Sequence, residues 1–358
     1  MENIRILAIN PGSTSTKVAV YNNTKSAFLK NIKHSADDLS AFGKITDQYE
    51  FRKNFILEEL ENAGIDIDSL NAVIGRGGLV KPIPSGVYEV NARMLEDLKK
   101  GFLGEHASNL GGLIANDIAA SVPAARAFIA DPVVVDEMQD VARITGHPLF
   151  ERRSIFHALN HKAIGRIHAD SIDSKYENLN LIIAHLGGGI SVGAHKQGKV
   201  IDVNNALDGE GPFSPERSGT LPAGCLARLC FDTKYTLEEV KKMITGRGGL
   251  MAYFGTNDAY EIELRAKDGD PKALLIQDAM AYQIGKEIGA MSAVLKGRVH
   301  GIILTGGIAH NPMLVSYVKE MVSYIAPLFI YPGEDEMKAL AMNVLMVLTG
   351  KIEPKVYS

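Results

Sequence analysis

The sequence has few of the residues that mark specialised classes of protein. Its 358 residues include two cysteines, Cys225 and Cys230, and no tryptophan. Two cysteines are too few for a disulfide scaffold and are not spaced as a zinc or redox motif, so a reducing compartment is expected. Basic residues do not exceed acidic ones, since 38 against 42 gives a net charge of −4. This balance argues against a protein that binds nucleic acid or a membrane surface.

A leader and long apolar runs are also missing. The first residues, Met-Glu-Asn-Ile-Arg-Ile-Leu, lack a basic segment followed by an apolar one. The longest apolar run, 339–348, is interrupted by Asn343 and is too short to span a bilayer. We therefore expect a cytoplasmic protein.

The chain has enough apolar residues, 46%, for two hydrophobic cores, and its length is typical of two domains. Strand signals at 4–9, 17–21 and 27–32 are separated by turns, and the same unit recurs at 181–184, 190–194 and 200–203. Helical periodicity follows each unit, first at about 36–62. This repetition predicts two α/β domains with mixed sheets.

Three glycine-containing turns follow predicted strands. Residues 10–17, Asn-Pro-Gly-Ser-Thr-Ser-Thr-Lys, and 185–189, His-Leu-Gly-Gly-Gly, offer donors that suit phosphate. Residues 305–312 lie between a strand and a helix and suit contact with a nucleoside. Ordinary polar hairpins and a plain strand–helix loop are the alternatives for each turn taken alone.

The three turns in this order resemble those of the actin, hexokinase and Hsp70 superfamily, and the chain more closely resembles the acetate and butyrate kinases. The resemblance extends over the whole chain and, in segments 10–17 and 136–143, is strongest to the butyrate kinases. It is carried by Asn10-x-Gly-Ser-Thr-Ser-x-Lys17, Arg76-Gly-Gly, Phe156-His157-Ala-Leu-Asn-His161, His185-Leu-Gly-Gly-Gly189, Glu216-Arg-Ser-Gly219, Gly306-Gly-Ile-Ala-His-Asn311 and Glu334-Asp-Glu336.

The resemblance implies two duplicated actin-like, or ribonuclease H-like, domains with mixed sheets flanking a nucleotide cleft. We expect the domains at 1–155 and 156–336, with the C-terminal helix, 337–358, packed back on the first. The implied reaction is reversible transfer of the ATP γ-phosphoryl group to a short-chain fatty acid with Mg²⁺, giving an acyl phosphate and ADP. Butyrate is the expected acid, and a homo-oligomer is the expected state.

Residue roles follow from the same resemblance. A carboxylate acceptor needs no general base, but the two anions need neutralisation, which suits Arg76 and Arg217. His157 matches the family histidine that stabilises the transferring group, while His161 would orient its surroundings. The remaining matches are His106 near the acceptor, Asp131 supporting the metal or the catalytic histidine, and Asn10 with Glu336 at the Mg²⁺ ion.

The resemblance also assigns residues to the two substrates. The nucleotide and its phosphates would contact Asn10, Gly12, Ser13, Ser15, Lys17, His185, Gly187, Gly188, Gly189, Asp258, Gly306, Gly307, Ile308 and Asn311. The acyl chain would lie at Gly77, Gly78 and Phe156, because acetate kinases carry branched residues where this chain has the two glycines. Two further departures are Gly188 in place of an asparagine, and Asn257-Asp258-Ala259-Tyr260 without the arginine of acetate kinases.

Other functions remain open from the sequence. An acetate, propionate or branched-chain acid kinase of the same family would need the same motifs. A sugar or polyol kinase of the superfamily would need a carboxylate base, for which Asp131 is the candidate. A non-catalytic ATP-dependent clamp is a more distant alternative, which two well-placed arginines disfavour.

Overall fold

The computed structural model describes residues 3–101 and 103–358. The strands are β1 (Arg5–Pro11), β2 (Ser15–Asn22), β3 (Lys25–Lys33), β4 (Ala72–Arg76), β5 (Val87–Glu89), β6 (Arg126–Ala130), β7 (Asn180–Leu186), β8 (Ile190–Lys196), β9 (Lys199–Val203), β10 (Gly301–Gly306) and β11 (Leu328–Pro332). The α-helices are α1 (Ala36–Ser40), α2 (Tyr49–Asn62), α3 (Ala92–Lys100), α4 (Asn109–Ala120), α5 (Asp140–Arg143), α6 (Ala158–Ser171), α7 (Ala223–Cys230), α8 (Leu237–Ile244), α9 (Gly249–Phe254), α10 (Ala259–Lys267), α11 (Pro271–Val294), α12 (Pro312–Val322) and α13 (Glu336–Leu348). None of the helices in these ranges is long and apolar enough to cross a membrane.

The chain forms two compact units, 1–135 with 335–358, and 136–334. The boundary therefore lies at Val135/Asp136 rather than at the expected 155/156. Residues after 135 hydrogen-bond within the second unit. The Gln139 amide donates to the Ile201 carbonyl at 3.0 Å, and Glu137 accepts from Lys162 Nζ at 2.6 Å. Buried polar contacts of this kind assign the segment to the second unit, which sequence periodicity does not show.

The first unit contains a six-stranded sheet in the order β3-β2-β1-β4-β6-β5. Strands β1, β2 and β3 form an antiparallel meander, whereas β4 and β6 run parallel to β1. Apolar side chains such as Leu7, Ile9 and Val73 are fully buried against α2, α3 and α4. Helix α13 packs on β1, β4 and β6 of the same sheet.

The second unit repeats this arrangement. Its five-stranded sheet has the order β11-β10-β7-β8-β9, with β7, β8 and β9 antiparallel and β10 and β11 parallel to β7. The core lies between β7, β8 and β10 on one side and α10, α11 and α12 on the other, and includes Ile182, Ile284 and Leu304. The prediction of two duplicated α/β domains with mixed sheets is confirmed.

The segment predicted as one helix from 36 to 62 contains two. Helix α1 ends at Ser40, a 3₁₀ turn spans Ile45–Gln48, and α2 begins at Tyr49. Ser35 caps α1 with a capping box to Asp38, as expected from the sequence. Gly64 ends the second helix at φ +68°, a conformation that favours glycine. The interruption at 41–44 contains Gly43, whose lack of a side chain lowers helix propensity.

Candidate functional site

Three parallel strands of the first unit end at one edge of the sheet, where candidate residues meet. Ile9 pairs with Gly75, and Arg76 pairs with Ala130. This register places Asn10, Arg76 and Asp131 side by side, because carboxyl ends of parallel strands share an edge, where ligands bind in open α/β sheets. The sequence could indicate each residue, but only the strand order makes them neighbours.

Asn10, Arg76 and Glu336 form a contact cluster at this edge. Glu336 Oε2 accepts from Asn10 Nδ2 and lies 3.2 Å from Arg76 Nη1. Arg76 Nη1 also lies 3.4 Å from Asn10 Oδ1. The Glu336 side chain is 11% exposed and the Arg76 side chain 23%. Glu336 belongs to the first turn of α13, so the C-terminal helix delivers a carboxylate to residues that lie far away in the sequence.

The oxygen atoms of this cluster fit Mg²⁺. Among the described residues there is no group of three His, Cys, Asp or Glu side chains that could hold a metal ion. Mg²⁺ does not require one, since it is commonly bound through one or two protein oxygens with waters and substrate phosphates. Glu336 and the Asn10 amide oxygen provide such donors, and both already face the positive charge of Arg76.

The turn between β1 and β2 forms a hairpin supported from below by a buried arginine. Gly12 N donates to Ser15 O at 2.8 Å, which closes the turn. Ser13 and Lys17 are exposed and Ser15 is half-buried. Arg52 of α2, 1% exposed, donates to the carbonyls of Gly12, Ser13 and Ser15 at 2.7 to 3.1 Å. Because Arg52 binds the carbonyls on the buried side of the turn, the exposed side presents N–H groups, hydroxyls and the Lys17 ammonium, which are donors that suit phosphate.

Arg52 and its partners are functional candidates that sequence reasoning missed. Gln48 Oε1 accepts from Arg52 Nη2 at 2.8 Å, and His34 Nε2 lies 2.9 Å from Thr16 Oγ1. Burial lowers the pKa of the Arg52 guanidinium, and burial followed by the Arg52 charge lowers the pKa of His34. A signal was present, because Arg52 occupies the same helix face as the buried Ile56 and Leu60.

Asp131 and His106 have local hydrogen bonds in the structure. Asp131 has φ +38°, and its Oδ1 accepts from Ser85 Oγ at 2.6 Å and from Gly86 N at 2.8 Å. The carboxylate thus holds a turn at the sheet edge. His106 is exposed, and its Nδ1 lies 2.8 Å from Ser108 Oγ, just before α4.

Protein atoms fill the space that side chains at Gly77 and Gly78 would occupy. A Cβ atom at Gly78 would lie 2.6 Å from Asn109 Cα and 2.8 Å from Leu98 Cδ2. A Cβ atom at Gly77 would lie 2.6 Å from Pro132 Cβ. The expectation that these glycines widen a substrate pocket is therefore wrong. They allow the chain after β4 to pack closely against α4 and residue 132.

The second unit places its candidate residues at the equivalent strand ends. His185 pairs with Thr305, so the 187–189 turn and Gly306 share one edge of the sheet. Gly306 has φ +91° and approaches the Leu186 backbone so closely that a Cβ atom would collide with it. Gly188 is exposed with open space around it, and its carbonyl accepts from Ser214 Oγ at 2.6 Å.

A cluster of histidines lies beside this edge. The half-buried His157 ring stacks on His185, with ring centroids 4.1 Å apart and planes inclined by 26°. His157 Nδ1 and His161 Nε2 each lie 2.9 Å from Ser191 Oγ. His185 Nε2 lies 3.4 Å from Glu334 Oε2. The buried Phe156 ring meets His161 edge-on at 5.1 Å, so the predicted pocket residue packs on the histidine cluster.

Arg217 lies against the glycine turn. Its Nη1 donates to Ala206 O, and the guanidinium occupies the space that a side chain at Gly189 would need. Burial lowers the pKa of Arg217, and its buried Nε has no hydrogen-bond partner among the described residues. A buried guanidinium whose Nε–H has no partner is suited to binding an anion.

A pocket in the second unit lies at the predicted nucleoside residues. Its walls include Gly307, Ile308, Asn311, Tyr260 and Gln277. Asn311 caps α12 by accepting from the amides of residues 313 and 314, and its Nδ2 donates to Gln277 Oε1 at 2.8 Å. Asp258 likewise caps α10, accepting from Tyr260 N at 2.9 Å. Asp258 and Asn311, both predicted to contact the nucleotide, therefore cap the N-termini of helices at or beside the pocket.

Solved structures similar to the chain define its fold. The acetate kinase of Porphyromonas gingivalis matches with a TM-score of 0.78 and 19% identity, over 96% of this chain and 100% of that one. A propionate kinase from Francisella tularensis subsp. tularensis SCHU S4 matches with a TM-score of 0.75 and 19% identity, over 95% and 98%. The fold is thus the actin-like kinase fold of these enzymes, as the sequence motifs predicted.

Sequence similarity then gives the family. Residues 145–329 match the acetokinase family. The chain is 56% identical over 353 residues to a protein named butyrate kinase 2 from Clostridium acetobutylicum, covering 99% of each. The chain belongs to the acetokinase family. It is accordingly a phosphotransferase with a carboxyl group as acceptor, and the resemblance inferred from the motifs is confirmed.

Proposed function

We propose that the chain catalyses reversible transfer of the ATP γ-phosphoryl group to a short-chain fatty acid, with butyrate as the preferred acid. The observation that carries this proposal is the 56% identity over 353 residues to a protein named butyrate kinase 2. The site supports it, since both units contain cationic donors at the carboxyl ends of parallel strands. Acetate, propionate or a branched acid is the alternative acceptor.

The chemistry needs charge neutralisation more than proton transfer. A carboxylate oxygen attacks the γ-phosphorus, the bond to the ADP oxygen breaks, and no proton has to move at pH 7. In the first unit, Arg76 would bind the carboxylate and the 10–17 hairpin would bind phosphate oxygens. In the second unit, Arg217 and a His157 N–H would stabilise the negative charge on the transferring group.

Glu336 and Asn10 are the residues that would hold Mg²⁺ in this proposal. Bound there, the ion would neutralise phosphate charge. The nucleoside would occupy the pocket at Gly307, Ile308 and Asn311, where the exposed Tyr260 offers an aromatic wall. This arrangement supplies a nucleoside contact without the arginine that acetate kinases carry nearby.

We further propose a cytoplasmic homo-oligomer. Cys225 and Cys230 are exposed free thiols, which suits a reducing compartment. Four large apolar side chains of one short segment, Val141, Ile144, Leu149 and Phe150, are 67% to 82% exposed. Such a patch favours association, and light scattering of the parent and of Phe150→Glu tests whether it mediates self-association.

A hydroxylamine trap for acyl phosphate, run with ATP and linear acids from C2 to C6, tests the activity. If two more methylenes are buried at roughly 0.8 kcal/mol each, butyrate should exceed acetate by on the order of tenfold in kcat/KM. Propionate and valerate should also react, because apolar pockets discriminate weakly per methylene. ADP release that depends on a sugar and not on any acid would overturn the proposal, as would ATP-dependent filaments without turnover.

A further inference from the structure

A continuous chain of hydrogen bonds runs from His157 into the core of the second unit. His157 Nδ1 and His161 Nε2 both contact Ser191 Oγ at 2.9 Å. His161 Nδ1 lies 3.1 Å from His195 Nε2, and His195 Nδ1 lies 2.5 Å from Tyr176 Oη. Ser191, His161 and His195 are fully buried, and Tyr176 is 4% exposed. The motifs identified only His157 and His161.

Two glycines leave room for the side chains of this hydrogen-bond chain. A Cβ atom at Gly193, between Ser191 and His195 on β8, would lie 3.3 Å from His195 Nε2 and 3.4 Å from His161 Nδ1. A Cβ atom at Gly165 of α6 would lie 2.7 Å from the Tyr176 ring. The space is therefore filled by the linked side chains themselves.

His161, His195 and Ser191 each have one hydrogen to donate within this chain of hydrogen bonds. Burial, with a further contribution from the Lys162 charge, lowers the pKa of both His161 and His195 well below the ordinary value. A neutral imidazole has one donor and one acceptor nitrogen, and the Ser191 hydroxyl has one hydrogen. The links from Tyr176 to Ser191 must therefore all point the same way, either towards Ser191 or away from it. The Ser191 hydroxyl can donate to His157 Nδ1 only when these links run towards Ser191.

The position of Lys162 favours the direction towards His157. Lys162 Nζ lies 5.7 Å from the centre of the Tyr176 ring, and a nearby cation makes a phenol hydroxyl a better donor. If Tyr176 donates to His195, then His195 donates to His161 and His161 to Ser191, which leaves the Ser191 hydrogen for His157 Nδ1. His157 then carries its hydrogen on Nε2, the nitrogen not engaged by Ser191.

We propose that Tyr176, His195, His161 and Ser191 are positioning residues that fix His157 in the Nε2–H tautomer, so that it presents a donor to the transferring phosphoryl group. The inference rests on the role proposed for His157. Linked hydrogen bonds polarise one another, so a change at Tyr176 should reach His157 through three intervening side chains.

Histidine ¹⁵N NMR of the parent protein, without substrates, tests the direction of the chain. His157, His161 and His195, assigned through single His→Gln variants, should all show the Nε2–H tautomer. In Tyr176→Phe, which keeps the ring and removes the hydroxyl, the three signals should move towards mixed tautomers. Nδ1–H tautomers in the parent, or identical spectra in the variant, would overturn the proposal.

Kinetics provide the second readout. Tyr176→Phe should lower kcat by about tenfold, less than loss of a direct donor, with KM for ATP unchanged. Tyr331→Phe is the matched control, because Tyr331 Oη lies 3.0 Å from His168 Nδ1 in the same unit, outside the chain. A control that loses as much kcat as Tyr176→Phe would contradict the proposal. The two proposals can fail independently. The assay with the panel of acids tests the reaction, whereas the NMR experiment tests the hydrogen-bond direction without any turnover.

Discussion

Single residues of one type have different tasks in this protein, and their neighbours decide which. Gly77, Gly78 and Gly189 are all places where a side chain would collide. At Gly78 the space belongs to Asn109 and Leu98, whereas at Gly189 it belongs to the Arg217 guanidinium. One glycine therefore serves backbone packing, and the other makes room for a candidate catalytic group.

The packing at Gly78 changes what a substitution should do. Gly78→Val should lower the free energy of unfolding by about 1 to 3 kcal/mol, as overpacking of a core does. Activity should fall equally for acetate, propionate and butyrate, because no acyl pocket is filled. Urea unfolding and kcat/KM for the three acids are the measurements.

Gly289→Ala is the control for that substitution. A Cβ atom there, inside α11, meets nothing within 4 Å, so alanine should stabilise the helix by roughly 0.5 to 1 kcal/mol. A folded Gly78→Val protein that loses butyrate activity selectively would restore the pocket interpretation.

Arg217 is the residue for which a loss in catalysis is expected. Arg217→Ala should lower kcat by about 10²- to 10³-fold, the typical effect of removing one donor that acts on developing charge. KM for ATP should change little if the guanidinium acts mainly in the transition state. Steady-state kinetics decide this, and a kcat within a few-fold of the parent would exclude the role. Arg228→Ala on α7, an exposed arginine of the same unit, should leave kcat unchanged.

At the scale of elements, the β1–β2 hairpin and helix α2 form one functional piece. The hairpin bears the predicted phosphate donors, and α2 supplies the buried Arg52 that binds its carbonyls at 2.7 to 3.1 Å. A charge buried beneath a turn also favours an anion above it, because the interior screens less than water. The helix therefore both shapes and charges the turn.

Arg52→Met should test this coupling. Loss of the guanidinium removes the donors of three turn carbonyls and should cost about 1 to 3 kcal/mol of folding free energy. ATP affinity, measured by calorimetry, should fall as well. Lys53→Met on the same helix removes a surface ion pair to Asp117, which is worth about 1 kcal/mol or less. If Arg52→Met bound ATP as tightly as the parent, the turn would not depend on this charge.

At the scale of the whole molecule, the last residues of the chain complete the first unit. Helix α13 buries Leu340 and Val344 on the sheet formed by residues 5–130, and it brings Glu336 to Asn10 and Arg76. Beyond the helix, Tyr357 is 2% exposed and donates to Asp97 Oδ2 at 2.8 Å. The chain's two ends thus fold as one unit.

Tyr357 should make this closure sensitive to alkali. Burial and the Asp97 hydrogen bond raise the pKa of Tyr357 from 10.0 to about 12. The folded state holds the proton more tightly, so the stabilisation is complete below pH 10 and is lost as pH rises towards 12. Tyr357→Phe should cost about 1 kcal/mol at pH 8 and show a shallower decline above pH 10.

Unfolding free energies of parent and variant between pH 8 and 12 measure this difference. Tyr21, whose pKa burial also raises to about 12, should leave part of the decline in the variant. Tyr324→Phe, at a site 82% exposed, should follow the parent at every pH. Parallel curves for parent and Tyr357→Phe would mean that the phenol does not contribute.

Local patterns in the sequence were sufficient for much of the architecture. Short apolar strand signals and glycine turns predicted the repeated meander, and Ser35 and Gly64 marked helix ends, because caps and turns depend on residues close in sequence. The motifs also predicted the fold and the family. The roles assigned to Arg76, His157 and Arg217 stay predictions.

Tertiary structure decided the features that depend on contacts between distant residues, which local sequence patterns do not contain. The boundary at Val135/Asp136, the packing at Gly78, the buried Arg52 and the chain from His157 to Tyr176 all depend on contacts between residues distant in sequence. A polar side chain in the core reveals its task only through its partners, since burial without a hydrogen bond is costly. The sequence alone therefore determined the fold and the class of reaction, and the packed interior determined which side chains support the candidate site.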